Sequence, residues 1–219
     1  MKTFKNFNRR HFTAIALSAC ATGLWPTRAL AREQVVLIVG DSLSSEYGLR
    51  RGAGWVALLE ERLAAERRSA RVVNASISGD TTAGGRSRLP ALLRTHQPDV
   101  VVIELGGNDA LRGLPMQMTR DNLRAMVQAS QQVGARVLLV GMEMPPNYGA
   151  RFAEEFRQVF VDVARSENVP LVPFFLKGVA DGPDPLALFQ SDRIHPNEAA
   201  QPIMLNNVWP SLRSLLARG

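Results

Sequence analysis

The stretch VVLIVGDSLSSEYG, residues 35–48, opens with five consecutive apolar residues and breaks at Gly40, which is followed at once by Asp41 and Ser42. A run that is apolar without alternation suits a strand covered on both faces, because neither row of its side chains meets water. What a glycine, an acid and a hydroxyl do at its end decides the chemistry. Two kinds of site begin this way. One is a turn whose backbone N–H groups cradle a phosphate. The other is a turn that presents a nucleophilic serine.

Four further apolar, β-branched runs follow: RVVNAS (71–76), VVVIEL (100–105), RVLLVGM (136–142) and VPLVPFF (169–175). Segments of helical period separate them, at 54–68, 88–97, 119–134 and 150–168, and a last one, 196–219, reads as a C-terminal helix interrupted near Pro202 and Pro210. Apolar strands alternating with crossover helices predict an α/β fold, a three-layer α/β/α sandwich around a five-stranded parallel sheet. In such a sheet, sites form beyond the carboxyl ends of the strands. Asp41 and Ser42 follow the first strand, SISGDTTAGG (76–85) the second and GGND (106–109) the third. All three clusters therefore belong to one edge.

The chain ahead of the first strand reads as a leader. Lys2, Lys5, Arg9 and Arg10 precede an apolar stretch at 12–25, Pro26 breaks it, and ALA (29–31) places small residues at −3 and −1 of a signal-peptidase cut after Ala31. The stretch is short for a stable membrane span. The adjacent arginines of NRRHFT (8–13) also suit twin-arginine export. The lone cysteine, Cys20, ends LSAC (17–20), which offers lipoprotein processing as a second route. The expected organisation is a signal peptide, 1–31, and one hydrolase domain, 32–219, in a periplasmic or secreted protein. Residues 32–219 keep 21 of the 26 Lys+Arg against all 20 Asp+Glu, so the domain is near neutral. That balance gives no support for nucleic-acid binding.

Phosphate binding fits poorly: neither G-x-x-x-x-G-K-[ST] nor G-x-G-x-x-G follows the first strand, and the glycines are spread over three loops. A nucleophilic serine needs a base, and histidine is the usual one. His11 lies in the leader, and His96 precedes the third strand, at the amino edge. His195, in SDRIHPNEAA (191–200), follows the last strand and shares the carboxyl edge with Ser42. Asp192 stands three residues before it, the separation at which a carboxylate in a turn can hold Nδ1–H and leave Nε2 for the serine. Acyl transfer also needs donors for the oxyanion. Gly79, the side chain of Asn108 and the N–H of Ser42 stand on the right loops, although glycine and asparagine are also common turn residues. Asp41 is expected to bond local backbone, and Gly40 to end the strand and permit the turn. Within residues 32–219, two histidines expected on opposite edges, and no cysteine, make poor material for a zinc site. No metal or cofactor is expected.

The blocks GDSLS, SISGDTT, GGND and DRIHP, in this order, resemble those of the SGNH (GDSL-type) hydrolases. VVNASISGDTT, RLPALL, VIELGGND, PPNYG and IHPN are similar to its periplasmic branch of acyl-CoA thioesterase I, lysophospholipase and arylesterase activity. The resemblance spans the mature chain. It implies a flavodoxin-like SGNH fold and a serine esterase or thioesterase. Its catalytic set would be Ser42, Asp192 and His195, with Ser42, Gly79 and Asn108 as oxyanion hole. In that branch, loops corresponding to ALRGLPMQMT (110–119) and EMPPNYGARF (143–152) line an acyl groove. This implies contacts from Leu111, Leu114, Met116, Pro146 and Tyr148, the first three of which could instead anchor a long loop. The implied partner is a small-molecule or lipid ester such as a lysophospholipid or aryl ester. A carbohydrate O-deacetylase is the alternative within the same chemistry, and a non-catalytic lipid- or carbohydrate-binding module the alternative outside it. Nothing in the sequence specifies an oligomeric state.

Overall fold

A computed structural model describes residues 32–216 apart from 145 and 185. The expected leader, with Cys20 and the cut after Ala31, lies outside the described residues. Among those described, five strands form one parallel sheet: β1 (Gln34–Gly40), β2 (Ala70–Asn74), β3 (Val100–Glu104), β4 (Arg136–Val140) and β5 (Leu171–Val172), in the order β2-β1-β3-β4-β5. The helices between them are α1 (Trp55–Ala65), α2 (Thr82–His96), α3 (Gly107–Leu111), α4 (Met116–Gln132) and α5 (Ala150–Ser166), and α6 (Gln201–Leu215) follows β5. α1 packs with α6, and α2 with α4 and α4 with α5, which gives two helical layers around the sheet. This is the expected three-layer sandwich.

The burial pattern explains why these segments take these forms. β1 and β3 are central, and Val36–Val39 and Val100–Ile103 expose nothing on either face. β2 is an edge strand and is only partly covered. α5 buries Phe156, Val159, Phe160, Val163 and Ala164, a spacing of three and four that puts one stripe on the core. The order reverses at β1, which pairs with β2 on one side and β3 on the other. The crevice at such a switch point is where an open α/β sheet places its site.

Three expectations need correction. α2 begins at Thr82, not near residue 88, and it runs through Pro90. The Thr81 hydroxyl accepts from Gly84 N–H, so a capped first turn offsets the poor helical propensity of Gly84 and Gly85. The stretch after Asn108 is not a long loop: α3 runs to Leu111 and α4 starts at Met116. α6 is also continuous. Pro202 occupies its first turn, where a missing N–H costs nothing, and Pro210 is accommodated within it.

Candidate active site

The turn that carries Ser42 grows directly from β1. Gly40 is the last residue of that strand, in a conformation open to any residue. Its need for glycine is steric: a Cβ there would lie 2.8 Å from both Glu104 Oε2 and Ser44 Oγ. This corrects the expectation that Gly40 serves the turn. The turn itself is built by Asp41, whose carbonyl accepts from the N–H groups of Ser44 and Ser45 and whose Oδ1 accepts from Leu43 N–H at 3.0 Å. Ser42 is thereby held at the carboxyl edge of a central strand. Beneath it, Ser44 Oγ donates to Glu104 Oε2 at 2.7 Å and accepts from Trp55 Nε1 at 3.1 Å.

The histidine comes from the loop between β5 and α6. Phe189 and Pro196 form an antiparallel bridge that closes this loop. Within it Asp192 Oδ1 accepts from the N–H groups of Ile194 (2.9 Å) and His195 (3.0 Å), and Oδ2 lies 2.6 Å from His195 Nδ1. The His195 backbone N–H, then its ring, then the Ile194 N–H hold the Asp192 carboxyl down at about 2. A carboxylate so held fixes the tautomer with Nδ1 protonated. His195 Nε2 then faces Ser42 Oγ at 2.9 Å. Hydroxyl, imidazole and carboxylate thus stand in series, each within hydrogen-bond reach of the next.

The other two clusters meet the Ser42 turn: Ser78 Oγ lies 2.7 Å from Ser45 Oγ, and Asn108 bonds Asp41. Gly79 has φ of +77°, a conformation that L side chains rarely adopt, so glycine is required there. Its N–H and that of Ser42 make no backbone hydrogen bond among the described residues. Arg112 donates from Nη2 to the Gly79 carbonyl at 2.7 Å. Asn108 sits in the first turn of α3 and donates one amide hydrogen to Asp41 Oδ2 at 2.9 Å, which leaves the second for another acceptor. Asp109, fully buried, accepts from both the N–H and hydroxyl of Thr82 and so ties α3 to the start of α2. Arg88 joins the nucleophile and glycine loops: it donates to the carbonyls of Gly40 and Ala75 and to Asp80 at 2.8 Å.

Two buried acids underlie the site. Burial raises the Asp41 carboxyl to about 6, against the hydrogen bonds from Leu43 and Asn108. Burial raises Glu104 well above its ordinary range, and the neighbouring Asp41 charge adds to it. Asp41 bonds local backbone as expected, and it also orients Asn108. Glu104 and Arg88 were not singled out from sequence. An acid inside the apolar run VVVIEL was the available signal for Glu104; Arg88 had none.

His96 ends α2 at the amino edge, away from Ser42. Leu111 is exposed at the end of α3, Leu114 is half-buried, and Met116 packs against the core from the start of α4. Pro146 opens a single 3-10 turn that ends at Tyr148, and the exposed Tyr148 ring stacks on Phe152 at 6.4 Å. Met142 and Met144 of the same connection are buried in the core. Among the described residues no three His, Cys, Asp or Glu side chains converge to hold a metal ion.

Fold and site together define a class, the α/β/α ester hydrolases that carry serine, histidine and acid at the carboxyl edge of a parallel sheet. Residues 38–202 match the GDSL-like Lipase/Acylhydrolase family. The chain is 52% identical over 203 residues to esterase TesA of Pseudomonas aeruginosa, covering 93% of this chain and 99% of that protein. It is 41% identical over 216 residues to thioesterase 1/protease 1/lysophospholipase L1 of Escherichia coli K12, covering 99% and 98% respectively. A crystal structure of TesA superposes with a TM-score of 0.81 at 54% identity, covering 84% of this chain and all of the other. The chain belongs to the GDSL-like lipase/acylhydrolase family and is a carboxylic ester hydrolase.

Proposed function

We propose that this protein is an exported serine esterase and thioesterase that acts on acyl esters, lysophospholipids and aryl esters among them, through an acyl-Ser42 intermediate. The observation that carries the reading is the 2.9 Å contact of Ser42 Oγ with an imidazole whose other nitrogen is held by Asp192. His195 Nε2 takes the hydroxyl proton as Oγ bonds to the acyl carbon. The carbonyl oxygen takes up negative charge and receives N–H groups from Ser42, Gly79 and the free amide hydrogen of Asn108. Collapse of this intermediate breaks the bond to the leaving oxygen or sulfur, which receives the proton from His195. Water then attacks the acyl-serine by the same route, releasing the acid and restoring Ser42. The half-exposed and exposed apolar side chains of Leu111, Leu114 and Tyr148 on neighbouring connections support an acyl-binding role, while Met116 packs on the core.

Export rests on the basic, apolar and small-residue pattern of 1–31, with cleavage after Ala31. Mass spectrometry of the secreted or periplasmic protein should find Arg32 as the first residue. An acylated Cys20 at the N-terminus would replace this reading with a lipoprotein. The catalytic reading is tested with a chain-length series of p-nitrophenyl esters and with fluorophosphonate labelling. Label should fall on Ser42, and Ser42→Ala should abolish turnover. Retained turnover in Ser42→Ala rejects the mechanism, and activity confined to acetyl esters favours the deacetylase.

A further inference from the structure

Among the described residues, six of the seven large apolar side chains that stand exposed lie on connections leaving the carboxyl ends of the strands: Tyr47, Ile77, Leu111, Tyr148, Leu186 and Ile194. Two of them flank His195. Ile194 precedes it in the chain and is 54% exposed. Tyr47, on the nucleophile loop, lays its ring on the imidazole with centroids 4.4 Å apart and planes inclined by 43°, and it remains 49% exposed. We propose that Tyr47 and Ile194 form the leaving-group subsite, a shelf that selects flat aromatic leaving groups.

The placement follows from the direction of the chemistry, and so rests on the catalytic reading above. The oxyanion is held from the side of Gly79 and Asn108. The leaving atom must instead receive its proton from His195 Nε2, so the group attached to it lies along the imidazole. Tyr47 lies on the imidazole there, and the exposed Ile194 adjoins it in the chain. The shelf is also built rather than adventitious. Gln190 donates from Nε2 to the Tyr47 carbonyl (2.9 Å) and the Pro196 carbonyl (3.1 Å), and its backbone N–H donates to the His195 carbonyl at 2.7 Å. One residue therefore ties the main chain of Tyr47 to that of His195. On the other side of Tyr47, the Glu46 carboxylate accepts from the N–H groups of Gly52 and Gly54. A ring that rests on the imidazole, on a main chain tied at Tyr47 and anchored beside it through Glu46, with half its surface open, gives an aromatic leaving group a partner at little further ordering cost. A short alkyl alcohol is too small to cover it.

The test compares two esters with one acyl group, 1-naphthyl butyrate and ethyl butyrate, on the mature protein, so that the acyl side of the site is constant. Intrinsic reactivities of the two esters cancel when each variant's ratio of kcat/KM is divided by that of wild type. Tyr47→Ala should lower the naphthyl-to-ethyl ratio by roughly 3- to 10-fold, the span of one aromatic pair contact. Tyr47→Phe, which keeps the ring, should hold the ratio. Ile194→Ala, at an exposed site where folding is not at stake, should lower the ratio in the same direction by a smaller factor. Fluorophosphonate titration counts competent Ser42 in each sample, so failure of the catalytic reading would show as turnover without labelling, whatever the ratio does. An equal fall for both esters in Tyr47→Ala would make Tyr47 only a support for the imidazole and overturn the proposal. An unchanged ratio in Ile194→Ala together with an unchanged ratio in Tyr47→Ala would do the same.

Discussion

Gly40→Ala adds one methyl group at the end of β1, and the surroundings allow its effect to be worked out. The backbone there suits any residue, so the change tests space alone. The new Cβ would stand 2.8 Å from Glu104 Oε2, 2.8 Å from Ser44 Oγ and 2.9 Å from Ser44 Cβ, where ordinary contact begins at 3.4 Å. Neighbours must give by about 0.6 Å, and none is the loose end of an exposed chain. Glu104 and Ser44 are buried and bonded to each other, and Ser44 is bonded to Trp55. Overpacking of this kind costs about 1–3 kcal/mol, or roughly 2–12 °C in Tm for a domain of this size. Ser42 is two residues further on. A shift of comparable size would stretch its 2.9 Å contact with His195 to the limit of hydrogen bonding. The rate should therefore fall on the order of tenfold or more, since a 1 Å misplacement can cost about 100-fold. Thermal melting and kcat on p-nitrophenyl butyrate, normalised to fluorophosphonate-titrated sites, read both effects. Adding Ser44→Gly removes two of the three crowding atoms and should recover part of the Tm. A single mutant whose Tm stays within about 1 °C of wild type, with kcat within about twofold, would refute the steric account of this glycine.

Asn108→Ala should lower kcat on the order of 10²–10³-fold with little change in KM, because the amide meets the oxygen mainly when it is charged; a folded, titratable variant with near wild-type kcat would remove Asn108 from the oxyanion hole. Asp192 is held at about 2 against an ordinary value of 3.8. Its folded value is depressed, so its contribution to stability is present above the unfolded value and is lost as pH falls through the folded one. Asp192→Asn should therefore flatten the stability–pH curve between about pH 4 and 2, measured by urea melts at each pH, and an unchanged slope there would contradict the assigned hydrogen bonds.

Legibility followed the physics of each element. β1 and β3 are buried on both faces, so their unbroken apolar runs were plain in the chain. The end of the sheet was less so: VPLVPFF reads as a strand of several residues, yet only Leu171–Val172 pair, because Pro170 and Pro173 cannot donate to the ladder. The start of α2 was hidden because Gly84 and Gly85 are weak helix formers; the Thr81 cap that offsets this is local, but the Asp109–Thr82 bonds that add to it come from tertiary structure. That Ser42, Asp192, His195, Gly79 and Asn108 stand on one edge was legible because the topology sends every β-to-α connection there. Asp41 as the partner of Asn108, Glu104 beneath the turn and the Gln190 tie were not, since each depends on which side chains meet across distant segments.

Asp192 and His195 share one short loop, closed on itself by the Phe189–Pro196 bridge and by Asn197, which donates to the carbonyls of Ala187 and Phe189. Ser42 belongs to the sheet. The hydrogen-bonded series Asp192–His195–Ser42 therefore has one internal seam, between Ser42 and His195, and one part that travels as a unit. A sub-global opening that lifts this loop breaks the seam but leaves the acid and the imidazole joined, and it needs far less free energy than melting the sheet. On warming, turnover should fade while the core remains folded, and cooling should restore it, because the loop re-docks with its proton donor and acceptor already aligned.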